Sequence, residues 1–495
     1  MNIYRKCRTA VALLFFAALL LLFLDFSGVA HRFLGWLAAV QLLPAILAVN
    51  VGVVVALVLL TLIFGRLYCS VICPLGVMQD GFARLGLRSK KNRYAYSKPK
   101  TVLRVGVFVL FVVLLVGGVG SLFTLLAPYS AFGRIVTNLL QPIWMGVNNL
   151  LAAVAAHFDS YAFYAVEVWW RGAASLATAL VTLVVVGWLA WRGGRTWCNT
   201  ICPVGTLLGF ISRFALLRPV IDTTKCNGCG RCARNCKSAC IDPKHHTIDM
   251  SRCVVCFDCL DSCKQGAISY RRPKVQSAEV AEPVSEKRGG MSRRAFLAVT
   301  ATLAATTAAE AKRQKVDGGL ATILDKKAPH RQQPIVPAGA LSLRHLTQHC
   351  TACQLCISAC PNGVLRPAQG VMRLLQPEMG YERGYCRPEC TRCADVCPTN
   401  AIQPITREEK SSTRIGRAVW VRENCLPATE GVQCDNCARH CPTGAIRMVE
   451  QAEGGRKIPA VDRMKCIGCG ACEHLCPARP FSAIYVEGLD EHEQI

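Results

Sequence analysis

The sequence predicts two architectures in one chain: an α-helical membrane bundle of four transmembrane helices, and small α+β modules that hold cysteine-bound centres in pairs. Three observations predict it. Apolar residues make up 52% of the 495-residue chain and the mean hydropathy is +0.30, more than soluble chains carry. Four stretches are apolar enough, and long enough, to meet the roughly 20 residues a bilayer crossing needs. Thirty cysteines fall largely into groups of four with gaps of two or three residues.

The four expected spans are residues 9–30, 45–64, 105–127 and 173–191. The first is apolar except for Asp25 near its far end. Residues 33–49 are apolar too, but Gln41 and Pro44 interrupt them, so their first half reads as a re-entrant or interfacial helix. Orientation follows from cationic loops, which stay in the cytoplasm. Arg5, Lys6 and Arg8 precede the first span. The loop between the second and third spans carries Arg66, Arg84, Arg88, Lys90, Lys91, Arg93, Lys98, Lys100 and Arg104. Residues 128–172 hold only Arg134 and Arg171. The N-terminus is therefore expected inside, and residues 128–172 outside, lying along the surface.

The first soluble group of cysteines is Cys226, Cys229, Cys232 and Cys236, followed by Cys253, Cys256, Cys259 and Cys263. This Cys-x2-Cys-x2-Cys-x3-Cys run is the bacterial ferredoxin pattern for two [4Fe–4S] clusters, in which the fourth cysteine of each motif binds the other cluster. Cys263 thus goes with Cys226, Cys229 and Cys232, and Cys236 with Cys253, Cys256 and Cys259. Lys237 and Lys264 stand where proline is usual, and a cation there is expected to raise the potential of the adjacent cluster. Cys240 reads as a spare thiol.

Four further groups follow: Cys350, Cys353, Cys356, Cys360; Cys386, Cys390, Cys393, Cys397; Cys425, Cys434, Cys437, Cys441; and Cys466, Cys469, Cys472, Cys476. Each ends in Cys-Pro, at Pro361, Pro398, Pro442 and Pro477. First may pair with second and third with fourth, or first with fourth around second with third; the spacing leaves both open. The total is about six [4Fe–4S] clusters. Cysteines this close together do not all reach disulfide geometry, and zinc sites lack the repeated third cysteine with its x3-Cys-Pro. No Cys-x-x-Cys-His occurs, so no covalent haem is expected. The formal charge of +25 would suit nucleic acid, but it counts cysteines as neutral. Six clusters at roughly −2 each offset about half of it, the rest lies at membrane edges, and no nucleic-acid partner is expected.

A different motif ends the second and fourth spans. Gly65-Arg66-x2-Cys69-x2-Ile72-Cys73-Pro74-x-Gly76 recurs as Gly194-Arg195-x2-Cys198-x2-Ile201-Cys202-Pro203-x-Gly205. The two halves are an internal repeat. Cys69, Cys73, Cys198 and Cys202 either meet near a pseudo-twofold axis, as a metal site or redox thiols, or are packed thiols in two structural turns.

Five regions result. Residues 1–215 form the transmembrane domain, 216–272 a two-cluster cytoplasmic domain, 273–290 a charged linker, and 312–495 a four-cluster domain. Residues 291–311 have the form of a twin-arginine signal: Ser292-Arg293-Arg294-Ala295-Phe296-Leu297, a weakly apolar run, then Ala309-Glu310-Ala311. That route places residues 312–495 in the periplasm of a bacterium, with the bundle in the inner membrane.

These parts, in this order, resemble a pair of ferredoxin-type proteins. The first 270 residues are similar to NapH-type membrane ferredoxins and residues 291–495 to NapG-type periplasmic ferredoxins. The MauN/MauM proteins of methylamine utilisation show the same pairing, and here the two look fused. The resemblance implies a quinol dehydrogenase component. It would take electrons from the membrane quinone pool and deliver them to a periplasmic reductase, such as a nitrate reductase, or to a c-type cytochrome. Quinol oxidation needs a proton acceptor, and Asp25, His31, His157 and Glu167 are the outer-side candidates. Similar Cys-x3-Cys-Pro turns occur in membrane polyferredoxins that support metalloenzyme assembly, which is the alternative function. Four exported clusters in series favour electron transfer.

Overall fold

The structure, a computed structural model, describes residues 3–88, 94–118, 120–160, 162–169, 171–272, 315–316, 322–450 and 456–495. The expected linker at 273–290 and the twin-arginine segment at 291–311 lie outside the described residues.

The N-terminal half is helical, and three helices in it are long and apolar enough to cross a membrane: Ile3–Leu24, Pro128–His157 and Ala173–Gly193. Two of the expected spans are shorter than the sequence suggests. The second is broken into Leu42–Leu47 and Val51–Phe64. Val49 adopts φ 54°, and the Asn50 side chain accepts from the Val53 N–H at 3.3 Å, so the chain starts a fresh helix there. The third runs Thr101–Val116 and stops at Gly117-Gly118, where Gly118 has φ 72°. Fourteen residues rise only about 21 Å, less than the roughly 30 Å hydrocarbon core. Residues 29–47 form three short helices, Val29–Leu34, Trp36–Ala39 and Leu42–Leu47. The segment 128–172 differs from its expected form: its first 30 residues make one apolar helical run through a π-helical stretch, Val136–Leu140.

The two Cys-x3-Cys-Pro repeats sit back to back in the bundle. Each is a one-turn helix, Leu67–Val71 or Thr196–Thr200, a sharp turn, and a second helix beginning at proline, Pro74–Arg88 or Pro203–Ile211. Close approach explains the glycine after each turn. A Cβ on Gly76 would lie 2.3 Å from the Cys69 carbonyl oxygen, and one on Gly205 would lie 2.2 Å from that of Cys198.

Asp80 locks this core. Its buried carboxylate meets Arg195 at 2.7 Å, Lys237 at 2.9 Å and Arg8 at 3.1 Å. Four chain segments converge on one acid, Lys237 arriving from the first cysteine domain. Arg5 adds a pair with Asp258 at 3.0 Å and another with Asp261. That domain is closed by the antiparallel strands Arg218–Ile221 and Ile268–Arg271.

The C-terminal domain packs against the opposite end. Asn138 donates to Gln354 at 2.8 Å, Gln354 donates to Ser175 at 2.8 Å, and Arg392 donates to the Phe26 carbonyl at 3.4 Å. The Ile3–Leu24 helix therefore has one cysteine domain bound at its start and the other just past its end, about 33 Å away. The long pairing in the C-terminal domain joins Thr413–Trp420 to Ile484–Gln494, antiparallel. A second hairpin joins Ile446–Glu450 to Lys457–Val461.

Two outcomes follow. Asp80→Asn leaves three buried cations without their acid and is expected to cost about 3–5 kcal/mol, against less than about 1 kcal/mol for Asp435→Asn in the exposed pair with Arg439; thermal unfolding in detergent compares them. Burial lowers the His492 pKa to about 4, with neither ring nitrogen bonded. The neutral ring is favoured by folding, so its contribution is whole above pH 6.5 and is lost as pH falls towards 4. Denaturant midpoints of His492→Phe are expected to fall less over that window than those of the native chain.

Candidate redox centres

Each soluble motif winds its cysteines round a loop that points backbone N–H groups inward. In several of the loops this winding uses left-handed residues between the cysteines. In two loops glycines supply them: Gly228 and Gly230 have φ 70° and 63°, and Gly468 and Gly470 have 77° and 79°. In two others the same positions are Val255 and Phe257 (51° and 62°) and Ala352 and Gln354 (51° and 66°). Strained conformations of this kind persist where the surroundings over-determine them, typically at ligand clamps. Amide donors reach the sulfurs: Ala267 to Cys263, Ala352 to Cys350 and Ala483 to Cys476, each at 3.3 Å, and Ile402 to Cys397 at 3.4 Å.

The fourth cysteines cross over. Cys232 has Cys226, Cys229 and Cys263 as electrostatic neighbours, and Cys259 has Cys253, Cys256 and Cys236. In the C-terminal domain Cys356 faces Cys350, Cys353 and Cys397, while Cys393 faces Cys386, Cys390 and Cys360. Cys437 faces Cys425, Cys434 and Cys476, and Cys469 faces Cys466 and Cys441. The arrangement is first motif with second, third with fourth. Among the described residues no three His, Cys, Asp or Glu groups close on a single metal ion. The Cys386 N–H donates to the Cys469 carbonyl at 2.9 Å, so the two C-terminal modules join at these cysteines. All thirty cysteines are free of disulfides.

Three cationic or thiol neighbours differ from expectation or were not anticipated. Lys237 is a cationic neighbour of Cys256, and its ammonium is also held by Asp80 and by Asp258 at 3.2 Å, so it ties the domain to the helices. Lys410, buried, donates to the Cys386 sulfur at 3.3 Å and to the Arg387 carbonyl at 2.8 Å. No spacing signal marked it, because it lies 24 residues from its cysteine. Cys240 is 3.5 Å from the Cys236 sulfur, in contact with a quartet.

Cys69, Cys73, Cys198 and Cys202 come together, all buried. Gln79 donates to the Cys198 sulfur at 3.2 Å and the Gly205 N–H to Cys202 at 3.3 Å.

The four candidate proton acceptors separate. Asp25 and His31 pair at 3.2 Å. Burial raises the Asp25 pKa, but hydrogen bonds from His31, Ser27 and the Gly28 N–H outweigh it and hold the carboxyl below its usual range. Both its oxygens cap the next helix, so it is a structural anion. His157 ends its helix on the exposed side, ring-to-ring with Phe158. Glu167 instead lines a cavity of about 450 Å³ between the helices and the C-terminal domain, with Tyr164, Trp169, Arg171, Arg383 and Cys360. Arg383 holds Glu167 at 3.2 Å and lies 4.9 Å from the Trp169 ring centre.

Comparison with known proteins agrees with this chemistry. The sequence model of a 4Fe-4S binding domain matches twice, at residues 47–93 and 175–221, which are the two halves of the membrane repeat. Models of 4Fe-4S dicluster domains match residues 249–364 and 432–479. The first of these joins motifs from the two cysteine domains, which the structure keeps apart. The methylamine utilization ferredoxin-type protein MauM of Methylophilus methylotrophus is 30% identical over 209 residues, 40% of this chain and 85% of that protein. The ferredoxin-type protein NapF of Escherichia coli K12 is 30% identical over 36% of this chain and 99% of its own length. The ferredoxin-type protein NapH of the same organism is 28% identical over 39% of this chain and 55% of its own length. No solved structure matches.

Lys410→Met removes a cation from the Cys386 sulfur and is expected to lower one cluster potential by about 60 mV, a tenfold shift for a one-electron couple. Redox titration followed by electron paramagnetic resonance reads it.

Proposed function

Since this chain belongs to the ferredoxin-type 4Fe-4S proteins that include MauM and NapF, we propose that it takes electrons from membrane quinol and passes them to a periplasmic reductase or c-type cytochrome. It is an iron–sulfur electron-transfer protein of the membrane, similar to NapH and MauN. On this reading the chain is a fusion of a NapH-like half and a NapG-like half, and the segment at 291–311 exports the second. The bundle has four crossings, two of them made from the broken pairs 42–64 and 101–126. The six soluble quartets, with the crossed pairing given above, bind [4Fe–4S] clusters, which when bound supply one-electron exchange without proton transfer.

The observation that carries the reading is the cavity at the outer end of the bundle. Its wall includes Cys360, which belongs to the Cys386 quartet, and Glu167. Trp169 and Tyr164 offer flat apolar faces to a ring, and Arg171 and Arg383 offer donors to its oxygens. Oxidation of a quinol releases two protons and two electrons. Glu167, largely exposed but on the cavity wall, is the group to take a proton at its carboxylate, with Arg383 orienting it; Asp25 has both oxygens committed to a helix cap, and His157 does not line the cavity. The wall that accepts protons thus also contains a cluster thiolate.

Quinol added to anoxic membranes is expected to reduce the clusters, bleaching their visible absorption. Glu167→Gln slows this about 100-fold, while His157→Asn leaves it unchanged. Clusters that stay oxidised with quinol present would end the quinol reading.

A further inference from the structure

The two quartets of the first cysteine domain are presented differently. The Cys253 quartet is turned inward. Cys253 and Cys256 are buried, and Cys256 shares one core with Tyr68, Trp197 and Leu208 of the bundle. The Cys226 quartet is turned outward. Cys226, Cys232 and Cys263 are only partly covered, and Cys229 is the one exposed cysteine in any of the six soluble quartets. A centre held at a surface is open to a partner that a buried centre never meets.

The surface round Cys229 is basic. Residues 216–272 hold ten lysines and arginines against five aspartates and no glutamate. Arg231 and Lys264 line the same recess as Cys226, Cys229, Cys232 and Cys263. Arg234 donates to the Cys229 carbonyl at 3.0 Å, which sets its guanidinium beside that cysteine. Lys225 immediately precedes Cys226, and all four cations are exposed.

The five acids are engaged elsewhere. Asp258 and Asp261 are taken by Arg5 and Lys237. Asp249 holds Arg252 at 2.7 Å. Asp242 accepts from the Lys244 N–H at 2.9 Å and pairs with His245 at 2.8 Å. Asp222, which has Lys225 and Arg271 as charged neighbours, is held by its own turn, accepting from the Thr224 N–H at 3.0 Å and its hydroxyl at 2.7 Å. The C-terminal domain gives a contrast. There exposed Arg439, beside Cys437, is met by Asp435 at 2.7 Å.

Position argues for a protein partner over lipid. The domain is tied to the helices through Lys237, Ser251 and Asp258, all in the loops of the Cys253 group. The Cys226 group therefore lies on the side away from the bundle. Opposite charge at such a face steers diffusional encounter and raises association rates by orders of magnitude at low salt.

We propose that the face round Cys229, built from Lys225, Arg231, Arg234 and Lys264, docks a small acidic one-electron carrier protein. One electron passes between the carrier's centre and the Cys226 quartet's cluster, one oxidised as the other is reduced, with no bond made and no proton moved. That exchange rests on the electron-transfer function proposed above; the docking does not. The face gives the first cysteine domain a port of its own, separate from the cavity at the other end of the bundle.

Full-length protein in phosphatidylcholine nanodiscs tests it, with a reduced acidic plant-type [2Fe–2S] ferredoxin as the probe. Binding by surface plasmon resonance and cluster reduction in stopped flow are both expected to weaken about tenfold as salt rises from about 20 to about 300 mM. Lys225→Glu/Arg231→Glu/Lys264→Glu is expected to weaken both by at least about tenfold at low salt and to flatten the salt dependence, with iron content and dithionite-reduced spectrum as in the native chain. Lys264→Glu alone is expected to give about a threefold loss, and it carries the test if the triple variant loses iron. Binding and reduction that ignore salt, or that these variants leave unmoved, overturn the proposal. So does a triple variant that binds the ferredoxin as before but is no longer retained by phosphatidylglycerol vesicles, which assigns the patch to lipid. Clusters reduced by the ferredoxin but not by quinol remove the quinol reading and leave the docking face standing.

Discussion

The architecture depends on one buried carboxylate. Asp80 draws Arg8, Arg195 and Lys237 out of water and into contact with the same two oxygens. Desolvating that many charges is unfavourable unless geometry and partners are complete. The interaction is better understood as specifying an arrangement than as supplying stability. The first helix, the first thiol turn, the second thiol turn and the first cysteine domain must all be in register before the acid is satisfied.

Local patterns were legible in the sequence, and distant partnerships were not. Cysteine spacing is a covalent property, and it is short enough that the fourth cysteine of each motif lies beside the other group, Cys263 by Cys232 and Cys236 by Cys259. Pairing of the C-terminal motifs depends on which loops pack together, as Cys386 and Cys469 do, and spacing alone left it open. The pairing of Lys237 was hidden for the same reason: its partner Asp80 is 157 residues earlier. The second span was overextended because a polar residue starts a fresh helix inside an apolar run: Asn50 caps the N-terminus of Val51–Phe64, a role that apolarity counts do not register. Glycine signals were informative at Gly228 and Gly468, yet Val255, Phe257, Ala352 and Gln354 adopt the same backbone with no sequence mark.

The cysteine quartets lie in a sequence of neighbours. The Cys226 group adjoins the Cys253 group, and the Cys350 group adjoins the Cys386 group. The Cys386 group touches the Cys466 group, which shares a module with the Cys425 group. The cavity lined by Glu167 opens on the second member of the C-terminal series, at Cys360, and the helical bundle meets the first member, at Cys353. Two separate surfaces of the C-terminal domain thus face the helices.

The Ile3–Leu24 helix is held at both extremities, by Arg5 on Asp258 and by the Phe26 carbonyl on Arg392. Such a rod behaves as a ruler. One inserted residue would add about 1.5 Å and swing the far end through about 100°, carrying Arg5 away from its acids while Arg392 stayed put. The length of this first segment is therefore under tighter constraint than its composition: its apolar side chains are interchangeable towards lipid, but their number is not.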